Sequence, residues 1–316
     1  MKRWDMHCDA LSKMILAPDI RFEDDPRLDV TMKRLRSAQI ELQGFAIYIS
    51  DAWKGKPFDA VLASVDAFRR RIAARPDVLP IRTKADVRRL TEPGETRTGA
   101  LLTLEGADGL EGSLMYARIA YDLGVRALGL TWNHANWAAD GVREPRGGGF
   151  TAAGKRLVAE CDRLGVVLDV SHLSVKGFWE LLELSGRPPI ASHSNALALC
   201  DHPRNLSDDQ IRALLGAGGV IGLTFVPYFL RGDGRPAAID DVLRHLDHVC
   251  ALGGEAQVGF GSDFDGIDEW VSGLEQPEGY DRLEEALHKY YSSQQVEGFL
   301  RKNWLSYYYR WLPDEA

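Results

Sequence analysis

Eight short apolar segments punctuate this chain, and most end on a residue able to bind a metal ion or carry a proton. They are Trp4–Asp9, Leu42–Ile49, Gly99–Glu105, Ala127–Asn133, Val166–Ser171, Ile190–His193, Val220–Phe225 and Val258–Ser262. Each is rich in aliphatic or β-branched residues, and several follow Gly or Pro, the pattern of buried strands. Amphipathic stretches of helical period lie between them, including Ala60–Ala73, Ser113–Leu123, Ala152–Leu164, Val175–Leu184, Asp208–Leu215 and Asp240–Leu252. Ser207-Asp-Asp-Gln210 has the form of a capping box, and Gly124, Gly165, Gly186 and Gly253 stand where helix C-caps belong.

Strands alternating with helices imply a parallel sheet. No Gly-x-Gly-x-x-Gly follows the first strand, so an open nucleotide-binding sheet lacks its fingerprint. The expected fold is α/β: a (β/α)8 TIM barrel as a single domain over residues 1–316, with residues 280–316 forming extra C-terminal helices packed outside it. A length of 316 residues suits such a barrel with insertions, and its functional groups belong at the C-terminal ends of the strands.

The net charge of −8 comes with scattered basic residues and no patch suited to a phosphate backbone, so nucleic acid is not an expected partner. No apolar run is long enough to span a membrane, and no apolar segment of a secretory leader follows Met1-Lys-Arg3. Cys8, Cys161, Cys200 and Cys250 are far apart and form no C-x-x-C pair, which fits reduced thiols in a cytoplasmic protein.

The strand-end residues sort by chemistry. On a strand, His7 and Asp9 share a face and can reach one ion, while Cys8 points away and Asp5 lies deeper as a structural group. Glu105 closes a mostly apolar strand, where an unpartnered carboxylate would be costly; two oxygens allow it to bridge two ions. His172 and His193 end consecutive strands and suit a second ion, neutral imidazole being a common zinc ligand. Asp263 fits either a ligand or a general acid/base, with Asp265 serving the loop. His134 fits either a ligand or a donor to a developing oxyanion. On residue type alone, Arg204 fits a bidentate carboxylate clamp or an ordinary surface ion pair. His245 and His248 read as helix-face or core residues.

These motifs resemble the membrane (renal) dipeptidase family of dinuclear zinc peptidases. Asp5-x-His7-x-Asp9, Leu104-Glu105-Gly106, Leu130-Thr-x-x-His134, Asp169-Val-Ser-His172, Ala191-Ser-His193-Ser, His202-Pro-Arg204-Asn205 and Gly261-Ser-Asp263-Phe-Asp265-Gly266 occur in the family's order across nearly the whole chain. The resemblance implies an amidohydrolase-like barrel holding two Zn2+ or other divalent ions: His7 and Asp9 on one, His172 and His193 on the other, and Glu105 between. It further implies that His134, Arg204 and, by analogy, Tyr228 bind substrate, that Asp263 transfers the proton, and that the chain hydrolyses dipeptides, including those with a C-terminal D-residue, as a homodimer. The animal enzymes' leader and lipid-anchor signal find no match, so membrane attachment is not expected.

The expected reaction is attack on the peptide carbonyl by hydroxide held between the ions. His134 would stabilise the oxyanion, Asp263 would pass the proton to the leaving amine, and Arg204 would grip the C-terminal carboxylate. The alternative is another amidohydrolase-type reaction, on a lactone or cyclic amide, at the same metal site.

Overall fold

The computed structural model describes residues 1–315. Its strands are β1 (Arg3–Asp5), β2 (Ile40–Tyr48), β3 (Val78–Ile81), β4 (Thr98–Glu105), β5 (Val125–Gly129), β6 (Val167–Asp169), β7 (Ile221–Leu223) and β8 (Val258–Phe260), all paired in parallel. The spatial order is β6-β5-β4-β2-β1-β8-β7, with β3 attached to β4 off this path. The sequence pattern does not anticipate β3.

The expected strand at Ile190–His193 survives only as single parallel bridges, Asp169 to Ile190 and Ala191 to Ile221. Those bridges close the ring. Ile190 N donates to Leu168 O at 2.9 Å on one side, and Ala191 N donates to Val220 O at 3.0 Å on the other. Eight staves therefore form the barrel, as the alternation predicts, although several are shorter than their apolar runs because the chain turns away as soon as it clears the barrel rim.

Two apolar clusters explain why the barrel holds. The larger packs the outer faces of the strands, such as Phe45, Leu104, Leu168 and Phe260, against the surrounding helices. The smaller fills the interior with Trp4, Met6, Leu42, Leu101, Ala127, Val167, Ile190 and Val220. This second cluster also holds Trp304, Tyr307, Tyr308 and Leu312 from the last helix, Asn303–Trp311, and its end. That helix does not lie on the outer wall, as the sequence suggests. It seals the floor: Trp304 is fully buried, and its Nε1–H donates to Phe260 O at 3.2 Å. A large aromatic buried in this way contributes about 2–3 kcal/mol.

Local signals hold where they are strong. Ser207 and Gln210 form the expected capping box on helix Asp208–Gly216, and Gly165 ends helix Ala152–Leu164 in the left-handed region at φ 82°. Among the described residues, no helix is long and apolar enough to cross a membrane.

Candidate metal centre

The strand ends deliver a compact group of side chains to one mouth of the barrel. Glu105 is the last residue of β4, while His7, His172, His193 and Asp263 lie just past β1, β6, the Ile190–Ala191 stave and β8. β1 ends at Asp5, so strand parity does not bring His7 and Asp9 together. Asp9 instead takes the N-cap position of helix Ala10–Leu16 without capping it, which leaves its carboxylate free to turn back toward His7.

His7 Nε2 lies 3.4 Å from Asp9 Oδ2, 3.8 Å from Glu105 Oε2 and 3.7 Å from Asp263 Oδ1. The other oxygen of Glu105, Oε1, lies 2.9 Å from His172 Nε2 and 3.6 Å from His193 Nε2. The Glu105 carboxylate thus turns one oxygen toward each side of the centre. Donor atoms of His7, Glu105 and His193, and of His7, Asp9 and Asp263, fall within 4.8 Å of one another. The five expected ligands converge, with Asp263 beside the His7–Asp9 half.

Several backbones here are held in a conformation L-residues rarely adopt: φ is 68° at His172, 70° at Asp263 and 67° at Asp265. Each costs roughly 1–2 kcal/mol, strain of a kind that clusters at functional sites. Hydrogen bonds lock it in place. The His172 carbonyl accepts from Val142 N at 2.7 Å and Thr131 Oγ1 at 3.2 Å. Asp265 serves the loop, as expected: its oxygens accept from the amides of Asp29 and Val30 at 2.8 and 2.9 Å and pair with Lys13 at 2.9 Å. Asp5 accepts from Ser262 N at 2.9 Å, tying the end of β1 to the loop after β8. A side chain at Gly266 would run into the carboxylates of Asp9 and Asp263.

The electrostatics are those of a site built for cations. Burial pushes His172 and His193 well below the usual histidine range, and the positive charge of Arg204 and His7 reinforces it, so both stay neutral. Burial also pulls on His7, but Asp9, Glu105 and Asp263 outweigh it and raise it to about 10. Burial raises Glu105. Asp263 is pushed up to about 8 by burial, with Asp9 and Glu105 adding to the rise and His7 and Arg204 opposing it.

His7 Nε2 and Asp9 Oδ1 are buried without hydrogen-bond partners, and such atoms are costly unless something satisfies them. His172 Nδ1 is 3.0 Å from Asn133 Oδ1, which can only accept, so the lone pair of His172 is on Nε2 and directed into the centre. Divalent ions would satisfy these atoms, whose nitrogen and oxygen donors are those that zinc-type sites use. The residues fit the metal.

A cavity of about 400 Å3 opens above the centre, lined in part by Glu105, His172, Arg204, Tyr228 and Asp263. Arg204 is buried, with Nη2 donating to His193 O at 3.2 Å and Nε left without a partner. Burial lowers it to about 10, although Asp263 and Glu105 oppose that fall. It is therefore no surface ion pair. Its backbone amide rests on His202 Nδ1 at 3.2 Å, and its guanidinium carbon lies 5.4 Å from the centre of the Phe229 ring. Tyr228 stands half-exposed at the mouth.

His134 is exposed and lines an adjoining cavity of about 390 Å3, which shares Tyr48, Glu105 and Trp132 with the one over the centre. β5 stops at Gly129, and the turn that follows presents Trp132, its ring 6.1 Å from that of His172 and 5.3 Å from that of Tyr48. Trp132, which flanks His134 in the sequence and is expected to narrow the pocket, does line the cavity, and Tyr48 and Asn133 are lining residues that the motifs do not include. Tyr48 was findable: it ends β2 and pairs in register with Glu105. His245 and His248 are structural, as expected. His245 bonds Leu230 O and Ala196 N, and His248 pairs with Asp208. A larger hollow of about 930 Å3 beside Lys84, Arg88 and Arg310 holds none of the converging residues.

Comparison with known proteins places this geometry in context. A family model described as membrane dipeptidase (peptidase family M19) matches residues 1–307. Dipeptidase aclJ of Aspergillus oryzae is 34% identical over 272 residues, 82% of this chain and 64% of its own length, so the chain spans just under two thirds of that relative. The crystal structure of dipeptidase AC, a metallopeptidase of the same family, superposes with a TM-score of 0.91 at 30% identity, covering 99% of each chain. A metallopeptidase from Rhodobacter sphaeroides, solved with a phosphinate mimic of the dipeptide L-Ala-D-Ala, gives 0.89 at 29% identity, covering 98% of this chain and 99% of its own.

Proposed function

The chain belongs to the membrane dipeptidase family of metal-dependent peptidases, and on that premise we propose that it hydrolyses dipeptides, including L-Xaa-D-Xaa, at a centre of two divalent ions, zinc in the first instance. His7 and Asp9 would hold one ion, His172 and His193 the other, and Glu105 one on each oxygen. Bound there, the ions supply Lewis-acid polarisation of the scissile carbonyl and an acidified water.

The chain's own groups do the rest. Arg204 receives the C-terminal carboxylate of the substrate, and this is the observation that carries the reading. A buried guanidinium with an unpartnered Nε calls for a planar anion. A longer peptide has no carboxylate at that point, which restricts the substrate to dipeptides. Asp263, raised by burial, holds or releases a proton near neutrality and lies 3.7 Å from His7. It is placed to take the proton of the attacking water and deliver it to the leaving amine. Tyr228 and Trp132 wall the cavity. His134 stands at the adjoining cavity, which shares Glu105, Tyr48 and Trp132 with the one over the centre, and His134→Ala decides whether it contacts substrate. The phosphinate dipeptide mimic in the Rhodobacter sphaeroides relative supports acceptance of a C-terminal D-residue.

We further propose a single-domain homodimer in the cytoplasm, the four unpaired cysteines favouring a reducing compartment. The test is metal analysis with hydrolysis assays on L-Xaa-L-Xaa and L-Xaa-D-Xaa dipeptides beside lactone and cyclic-amide substrates. Two ions per chain and turnover of dipeptides alone are expected. Turnover of substrates lacking a carboxylate, with dipeptides inert, would overturn the reading.

A further inference from the structure

The cavity over the centre contains three cationic side chains, Lys13, Arg143 and Arg204. Lys13 is taken by Asp265 at 2.9 Å. Among the described residues, neither Arg143 nor Arg204 has a carboxylate within ion-pair reach, although every other arginine of the Arg143 loop is matched: Arg146 pairs with Asp140. Two guanidiniums thus line one cavity without a direct ion pair, Arg204 buried and Arg143 exposed.

Arg143 is exposed, but its backbone is held in place. Its backbone N–H donates to Asn133 O at 2.8 Å, and that of Val142 donates to His172 O at 2.7 Å. The segment is therefore pinned to the residue that orients His172 and to His172 itself. Arg143 and Arg204 both line this cavity. The positive charge of both reaches the half-exposed Tyr228 phenol and the His202 ring beside it. Asp268 lines the cavity as well but is bound to neither arginine.

We propose that Arg143 determines specificity by receiving a side-chain carboxylate on the same substrate residue whose α-carboxylate Arg204 holds, so that the preferred substrates are dipeptides ending in an acidic residue. Two carboxylates on one residue match two guanidiniums lining one cavity, and each charge-assisted pair discriminates strongly against a neutral isostere, which leaves a donor unmet. The proposal rests on the dipeptidase reading of this site.

The experiment compares kcat/KM for L-Ala-L-Asp with L-Ala-L-Asn, and L-Ala-L-Glu with L-Ala-L-Gln, in the metal-loaded wild type and in Arg143→Ala. The wild type is expected to favour the acid by about tenfold or more, mainly through KM, and the ratio should collapse toward one in the variant. A wild-type ratio near one, a ratio unchanged by Arg143→Ala, or a preference that follows an acidic N-terminal residue (L-Asp-L-Ala over L-Asn-L-Ala) would overturn it. Calorimetric binding of free L-aspartate against L-asparagine reads the same pair without turnover. If no dipeptide is cleaved, the dipeptidase reading fails, while tighter aspartate binding that is lost in Arg143→Ala would still support the two-guanidinium site and equal binding would overturn it.

Discussion

The Nε2 atoms of His172 and His193 face each other at 3.0 Å, with Glu105 Oε1 2.9 Å from the first and 3.6 Å from the second. Each ring is oriented by a bond at its other nitrogen, His172 through Asn133 Oδ1 at 3.0 Å and His193 through Ser192 Oγ at 2.7 Å. Two neutral imidazoles and a carboxylate oxygen aimed at one small space form a cation site before any cation arrives.

Cation uptake therefore displaces protons. Without metal, the burial of His7 is outweighed by the carboxylates around it, which raise its pKa, and burial raises that of Asp263, so this half of the centre holds at least one proton near pH 7. Binding at the His7–Asp9–Asp263 half must expel between about one and about two protons. Affinity should rise with pH through this range and weaken as pH falls. Calorimetry in buffers of different ionisation enthalpy measures the count, and metal uptake with no proton release would contradict this charge arrangement.

Asp263→Asn should keep its metal and lose turnover. The amide preserves shape but cannot accept the proton, so kcat should fall by about a hundredfold or more. Metal content and steady-state rates on one preparation decide the matter. Loss of an ion would instead favour a ligand role, and full activity would remove Asp263 from the chemistry.

Arg204→Ala should raise KM by about 10- to 100-fold with a smaller change in kcat, the loss of a charge-assisted contact to the substrate carboxylate. Arg204→Lys should restore little, because an ammonium cannot reproduce the planar fork. A fall in kcat at constant KM would place Arg204 elsewhere in the reaction.

Trp132 and His134 separate cleanly. Trp132→Ala removes the ring packed near His172 and Tyr48 and should lower kcat/KM by roughly tenfold. His134→Ala, at an exposed position, should stay within about threefold of wild type. The reverse order of effects would restore His134 to the centre.

Stability carries its own pH signature at His245. Burial lowers its pKa to about 4, and Nδ1 already accepts from Ala196 N at 3.0 Å, which leaves no room for a second proton. The unfolded chain, with the ordinary value of 6.5, binds that proton more readily. This contribution is thus fully present above pH 6.5 and lost as pH falls toward 4, by about 3 kcal/mol at most. Denaturant unfolding of His245→Gln across that window should show a slope shallower by about one proton. Equal slopes would mean that His245 titrates normally.

The centre was legible because its residues stand where strands must end. Glu105, His172, His193 and Asp263 close apolar runs that only a buried sheet explains, and a barrel gathers strand ends at one mouth. Arg204 was legible as a residue type but not as a role, since nothing local distinguishes a buried unpaired guanidinium from a surface one. His134 was legible as a residue type, but β5 ends at Gly129, so its place beside the cavity depends on the turn that follows and not on strand periodicity. Arg143 gave no signal at all, because its significance lies in what is missing around it.

By itself the sequence determined the alternation that builds the barrel and the metal-ligating residue types at its strand ends, for the order of apolar segments and the residues that close them depend on nothing outside the chain. Only the tertiary structure decided that Glu105 divides its oxygens between two sides, that Trp132 lines both cavities while His134 lines one, that the last helix seals the floor with Trp304, and that Arg143 and Arg204 line one cavity without a direct ion pair. Those are relations between residues far apart in the chain. They are set by how the ring closes and where each loop turns, and burial and charge have values only once that packing exists.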